Sequence, residues 1–478
     1  MQPEPAGPRG NPLVTLIIVI AIAVLVVVLF LLALAPMLKG KQQGYEPMPV
    51  MKASNPADED AAAIIRLALE SEDPRTVLGV VTRLPYLAVP QFKDGILALK
   101  ERGLLWHYVS LLPELHFLGY EDAEKELSEY ILASDLQMAM TALEALQRMP
   151  PMSCRDALLE ALKTPHMDLH VGVCKALRVW RQSDPEINEQ LLNVMNNGPV
   201  DFSQLAAAAA MYDLDFHREE AWAKLHELAV GTDATLAHSL VPYLANCGDP
   251  RAPETIALLL AKATTRSEAL PGLVNLDWPG KVDTLKPITE SDSQTERFYA
   301  LIALEDYQGK GELDKVVDAL LKVKPKKDAA GEAAPAEDAQ PEVGEAEPEL
   351  SNEQVMSLTA MLPCFKAWRS PRAIPYLERI ARKGPRVVRM EVGRVLRNFE
   401  NNRRAAELAS ELLTNATDAG EARNYATTLG YIDGGRAVAQ LHKQMMNEED
   451  EETKLTLAWA ILNINRGHPH KWETPLSP

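Results

Sequence analysis

Cysteine is scarce in this chain: Cys154, Cys174, Cys247 and Cys364 are its only four, far apart and without a CxxC pair. That spacing argues against a disulfide framework or a zinc site and for reduced core thiols. Positive charge is also short. With 49 Lys and Arg against 67 Asp and Glu, the formal net charge is −18, which argues against nucleic-acid binding because a duplex repels such a chain. Catalytic signatures are missing too: there is no GxxxxGK[ST] phosphate loop, no HExxH and no GxSxG. His226-Glu227 is the only His-Glu dipeptide, and the other histidines, including His107, His116, His217 and His238, show no metal-ligand spacing. The expectation is a protein that is not an enzyme and that holds no metal or cofactor.

Long apolar runs are absent with one exception. Leu13 to Ala35 has no charge and only Thr15 as a polar side chain, bracketed by Pro12 and Pro36. At ~1.5 Å per residue it reaches about 34 Å, enough to cross a ~30 Å hydrocarbon core. A cleaved signal has a shorter apolar core of ~7–15 residues, and Pro36 would follow the cut after Ala33-Leu34-Ala35. The run is therefore read as a retained transmembrane helix. Lys39, Lys41 and Lys52 follow it while Arg9 precedes it, so the positive-inside rule puts the body on the cytoplasmic side of a single-pass membrane protein.

What the chain does have is periodicity. Arg372-Ala373, Arg404-Ala405 and Arg436-Ala437 recur at a 32-residue step. Each follows a turn, Ser370-Pro371, Asn401-Asn402-Arg403 or Asp433-Gly434-Gly435, and opens an apolar-periodic stretch. The unit reads as helix, tight turn, helix, which buries its apolar face only by stacking on neighbours. Asp73-Pro74-Arg75, Asp184-Pro185-Glu186 and Asp249-Pro250-Arg251 extend the pattern toward the N-terminus as helix starts. Ala176-Leu177-Arg178-Val179-Trp180-Arg181 also resembles Cys364-Phe365-Lys366-Ala367-Trp368-Arg369. Trp180 and Trp368 are therefore candidate aromatics, either for packing between repeats or for binding.

Between Lys324 and Leu350 the pattern collapses into Ala, Pro, Gly and acidic residues with almost nothing to bury. The expected organisation is an N-terminal tail (1–12), a transmembrane helix (13–35), a linker (36–56), a first helical array (57–323), a disordered acidic linker (324–350), a second array (351–470) and a C-terminal tail (471–478). The stretch from Pro271 to Ser293 reads as a loop-rich break inside the first array.

These residues resemble a HEAT-like repeat protein of the short-repeat kind found among phycobilisome-lyase relatives. The resemblance rests on Asp168 to Trp180, Pro385 to Phe399, Glu421 to Leu429 and Thr453 to Leu462, which read like the second helix of such repeats. It implies an all-α, armadillo-like α-solenoid that acts as a scaffold or adaptor for a protein partner. The alternative it carries is a lyase or enzyme-accessory protein acting on a bound cofactor or protein substrate.

One helix offers a candidate surface. From Arg386 to Phe399, residues Val388, Val392, Val395, Leu396 and Phe399 share one face. Arg386, Arg394 and Arg397 take the other, with Arg389 at the border. These four arginines are the candidate anion- or partner-binding residues, locally balanced by Glu378, Glu391 and Glu400.

Overall fold

A computed structural model describes residues 55–309, 311–322, 350–432 and 435–465. The apolar run 13–35, its linker as far as residue 54, the acidic stretch 324–349 and the C-terminal tail lie outside the described residues. Among the described residues there is no strand, and no helix is long and apolar enough to cross a membrane.

The helix starts follow from local chemistry. The Asp73 carboxylate accepts hydrogen bonds from the N–H groups of Arg75 and Thr76, and that of Asp184 from Ile187, each with proline in the first turn. Ser351 and Gln354 form a reciprocal capping box. Each such cap contributes ~1 kcal/mol. The third Asp-Pro pair departs from the expectation. Its helix begins only at Ala252, because Pro253 suits the first turn and moves the start past Asp249. The buried Asp249 carboxylate instead accepts from the Tyr212 hydroxyl at 2.8 Å and from Arg251 Nη2 at 2.7 Å.

The first helices are α1 (Pro56–Glu70), α2 (Pro74–Val81), α3 (Lys93–Glu101), α4 (Leu105–Ser110), α5 (Leu112–Phe117), α6 (Ala123–Ile131) and α7 (Leu136–Leu146). The middle comprises α8 (Arg155–Lys163), α9 (Met167–Trp180), α10 (Pro185–Asn197), α11 (Asp201–Asp213), α12 (Arg218–Gly231), α13 (Ala234–Asn246), α14 (Ala252–Leu260) and α15 (Ala263–Leu273). Then come α16 (Lys281–Leu285), α17 (Gln294–Gln308), α18 (Glu312–Leu320), α19 (Asn352–Ala367) and α20 (Ile374–Lys383). The chain closes with α21 (Arg386–Leu396), α22 (Arg403–Thr414), α23 (Ala419–Tyr431), α24 (Val438–Asn447) and α25 (Glu451–Asn465). The region read as a loop-rich break is largely helical: α15 runs through Pro271, and α16 leads into the 3-10 turn Lys286–Glu290.

From α7 onward each odd-numbered helix packs on the next odd-numbered one, and the even-numbered helices flank that row. Close approach in the row depends on glycine. A Cβ on Gly430 would stand 2.7 Å from Trp459 Cζ3, and one on Gly393 would stand 2.5 Å from Asn424 Nδ2. The carbonyls at these positions take buried donors from the next helix, Thr428 Oγ1 to Gly393 O and Asn463 Nδ2 to Gly430 O, both 2.8 Å. The Thr428 and Asn463 side chains are thereby satisfied rather than stranded.

The helices that flank the acidic stretch pack directly on each other. α19 lies against α17 and α18, and Gln354 Nε2 donates to the carbonyls of Leu320 and Lys322, each at 2.9 Å. The described residues, from 55 to 465, fall within a single compact unit.

The last helices also meet the first. α1 packs on α25 and α24, α2 touches α25, and α1 passes the contact on through α3 and α4 to α7. The order of neighbours is therefore cyclic. This explains α25, where Leu455, Leu457, Ala458, Trp459, Ala460, Ile461, Leu462 and Ile464 are all buried. A helix that is apolar all round must be covered all round.

Candidate functional site

Arginines tie successive helix pairs together. Arg372 Nη1 donates to the carbonyl of Asp306 at 2.9 Å, Arg404 Nε to Glu378 Oε1 at 2.6 Å, and Arg436 Nη1 stands 4.0 Å from Glu407. The recurrent Arg-Ala phrase thus pairs a cation that reaches back to the preceding unit with an alanine that is buried in each case. Arg251-Ala252 is a further copy, which the 32-residue step did not single out. Its guanidinium reaches Glu219, 32 positions earlier, at 2.8 Å.

The four candidate arginines of α21 point largely at α23. Arg386 makes two bonds to Asp418, at 2.6 and 2.9 Å. Arg389 donates to Glu421 at 3.0 Å, and Arg394 pairs with Glu391 on its own helix at 2.7 Å. Arg397 bonds Asn424 Oδ1 at 2.8 Å and Thr428 Oγ1 at 3.4 Å, with its guanidinium over the Tyr431 ring. Val388, Val392, Val395, Leu396 and Phe399 are buried on the opposite side. Glu421 is itself buried. Burial opposes its ionisation, but hydrogen bonds from the Thr417 N–H and hydroxyl and from Arg389 prevail and hold its carboxyl below the usual range. The Arg386 fork holds Asp418 down at about 2. Charge on this face is therefore largely neutralised from within.

Both tryptophans lie in seams between neighbouring units. Trp180 Nε1 donates to the carbonyl of Gln147 at 3.0 Å. Trp368 is 1% exposed, donates to Asp306 Oδ1 at 2.8 Å and packs against Phe365 and Tyr376.

The thiols are quiet. Burial pushes Cys174 and Cys364 up to about 12 and raises Cys154 and Cys247 as well, which keeps them protonated and unreactive. Among the described residues no group of three His, Cys, Asp or Glu side chains is arranged to hold a metal ion.

A cavity of about 220 Å³ opens where the two ends of the helical order meet. Thr82, Arg83, Pro85 and Tyr86, just after α2, form one wall, and Thr427, Tyr431, Trp459 and Asn463 of α23 and α25 form the other. Tyr86 has φ of +70°, a left-handed conformation rare outside glycine. Its N–H donates to Glu114 Oε1 at 2.8 Å, and the Arg148 guanidinium covers its ring. Glu114 and Arg148 form a buried ion pair behind it. Tyr431 and Trp459 meet edge to face with centroids 5.3 Å apart. Sequence reading missed these residues because their two walls are more than 340 positions apart. The one signal was the apolar text of 455–464, which a terminal repeat with a free outer face should not carry.

No family model and no curated protein matches the chain. Among solved structures, an engineered protein is similar over 85% of this chain and 99% of its own, at 16% identity and a TM-score of 0.22.

Proposed function

We propose that this chain is a membrane-tethered HEAT-like repeat scaffold, an α-solenoid that recruits a protein partner and performs no catalysis of its own. The observation that carries this reading is the arginine tie repeated between successive helix pairs, at Arg251, Arg372, Arg404 and Arg436. Repeats stacked in this way present a continuous surface of helix faces and turns, as repeat proteins that bind partners do. Large apolar side chains stay exposed near the turns that lead from an even- into an odd-numbered helix, among them Leu132, Val200, Val230, Met356 and Val387. Apolar anchors of this kind favour a protein partner over a highly charged one. The apolar run 13–35 supplies the membrane anchor in this reading, with the body on the cytoplasmic side.

Proximity labelling in cells followed by co-purification tests the scaffold. A consistent partner should be captured, and Met356→Glu with Val387→Glu should weaken its capture while leaving the melting temperature unchanged. A turnover abolished by one side-chain change would contradict the reading. Alkaline carbonate extraction tests the anchor, which release into the supernatant would refute.

A further inference from the structure

The cavity between the first and last helices has the makings of a ligand site independent of any partner surface. Its walls are aromatic, with Tyr86 on one side and the Tyr431–Trp459 corner on the other. At about 220 Å³ it exceeds the ~150 Å³ that admits a single benzene ring. One planar ring with a short polar arm fits that space.

Arg83 sets the chemistry of the arm. Arg404 holds the Glu378 carboxylate at 2.5 Å and Arg251 that of Asp249 at 2.7 Å, whereas Arg372 and Arg436 stand 3.8 and 4.0 Å from those of Asp306 and Glu407. Arg83 is of the second kind. Its Nη1 is spent on the Gly79 carbonyl, its Nη2 donates to Thr456 Oγ1 at 3.1 Å, and the nearest carboxylate among the described residues, Glu452, stands at 3.8 Å. Its side chain is 22% exposed. A cation so enclosed, whose ion-pair partner Glu452 stands beyond hydrogen-bond distance, has room for a closer anion. Arg397, over the Tyr431 ring, also bonds only neutral oxygens and adds to the local positive field. The last turns of α23 and α25 contribute Tyr431 and Asn463, and helix C-termini disfavour a doubly charged group. A carboxylate suits the site better than a phosphate. The left-handed backbone at Tyr86 is a conformation that persists where surrounding structure imposes it, and here it holds the ring at the cavity wall.

We propose that this cavity binds a planar aromatic group bearing a carboxylate, either a free small acid or the C-terminal residue of a peptide. Since one wall belongs to the start of the helical order and the other to its end, the ligand also clamps the two together.

Calorimetric titration of the full chain with phenylacetate and with phenylacetamide tests this directly, with acetyl-Gly-Gly-Phe and its C-terminal amide as the peptide arm. The acid should bind about ten- to hundredfold more tightly than its amide, the worth of a charged hydrogen bond. Arg83→Gln should reduce the acid to the level of the amide. Thr427→Trp, which adds an indole to the half-buried wall of the cavity, should remove binding altogether. Bound acid should also slow hydrogen exchange in residues 56–70. Tighter binding of the peptide acid assigns the ligand to a protein terminus, and tighter binding of phenylacetate to a free acid. Failure of both acids to bind, equal binding of acid and amide, or binding that survives both substitutions would overturn the proposal.

Discussion

Glu114 shows what a single buried charge does in this molecule. Its side chain is fully buried, and its carboxylate takes Arg148 Nε at 2.9 Å and the Tyr86 N–H at 2.8 Å. Glu114→Ala would strand the Arg148 cation and should cost ~3–5 kcal/mol in urea unfolding, whereas adding Arg148→Met should restore much of the loss. Asp249 and Asp418 report on acid instead. Hydrogen bonds from Arg251 and Arg386 respectively hold each at about 2, below the ordinary value of ~3.9. Folded-state values that are depressed give stability that is complete above the ordinary value and lost as pH falls through the folded one. Arg251→Gln and Arg386→Gln should therefore melt below the parent at neutral pH, with the gap closing as pH drops from about 4 toward 2. A gap that stays constant with pH would mean that these pairs do not act through the carboxylates.

At the scale of elements, glycine governs how closely helices of the continuous row approach. Gly430→Ala would drive a methyl group into Trp459 and against the Ala460 backbone, and overpacking of this kind costs ~1–3 kcal/mol. Gly79→Ala in α2 is the contrast. Its added methyl meets only Arg83 Nη1 at 3.6 Å, so the helix propensity of alanine should leave the protein up to ~1 kcal/mol more stable. Thermal melts of the two variants should move in opposite directions. Helices and their buried faces were legible in the sequence because burial repeats every three to four residues, and Val388, Val392, Val395 and Phe399 obey that rule. The destinations of the arginines were not. Asp418 and Glu421 lie 32 residues beyond Arg386 and Arg389, and helical periodicity within one segment carries no information about a neighbour one unit away. The same limit hid the cavity, whose walls meet only through the closing contact between α1 and α25.

The whole molecule has no free end among its described helices. Arg83 bonds Thr456, and His442 Nε2 meets Asp60 Oδ2 at 2.9 Å, across the full span of the chain. A circular permutant that joins residue 465 to residue 55 through a short flexible linker, with new termini within 324–349, should keep the parent melting temperature and the cavity. A permutant that melts much earlier would show that the closing contact adds little. The contact also sets an order of events during synthesis. α1 leaves the ribosome early, yet its main neighbour, α25, is nearly four hundred residues behind it, which at ~5–20 residues per second is a delay of about 20–80 s. Through that interval the apolar face of α1, with Ala61, Ala62, Ile65 and Leu69, waits for a surface that does not yet exist. Chaperone capture of nascent chains should therefore peak before residue 450 is made and fall once α25 emerges.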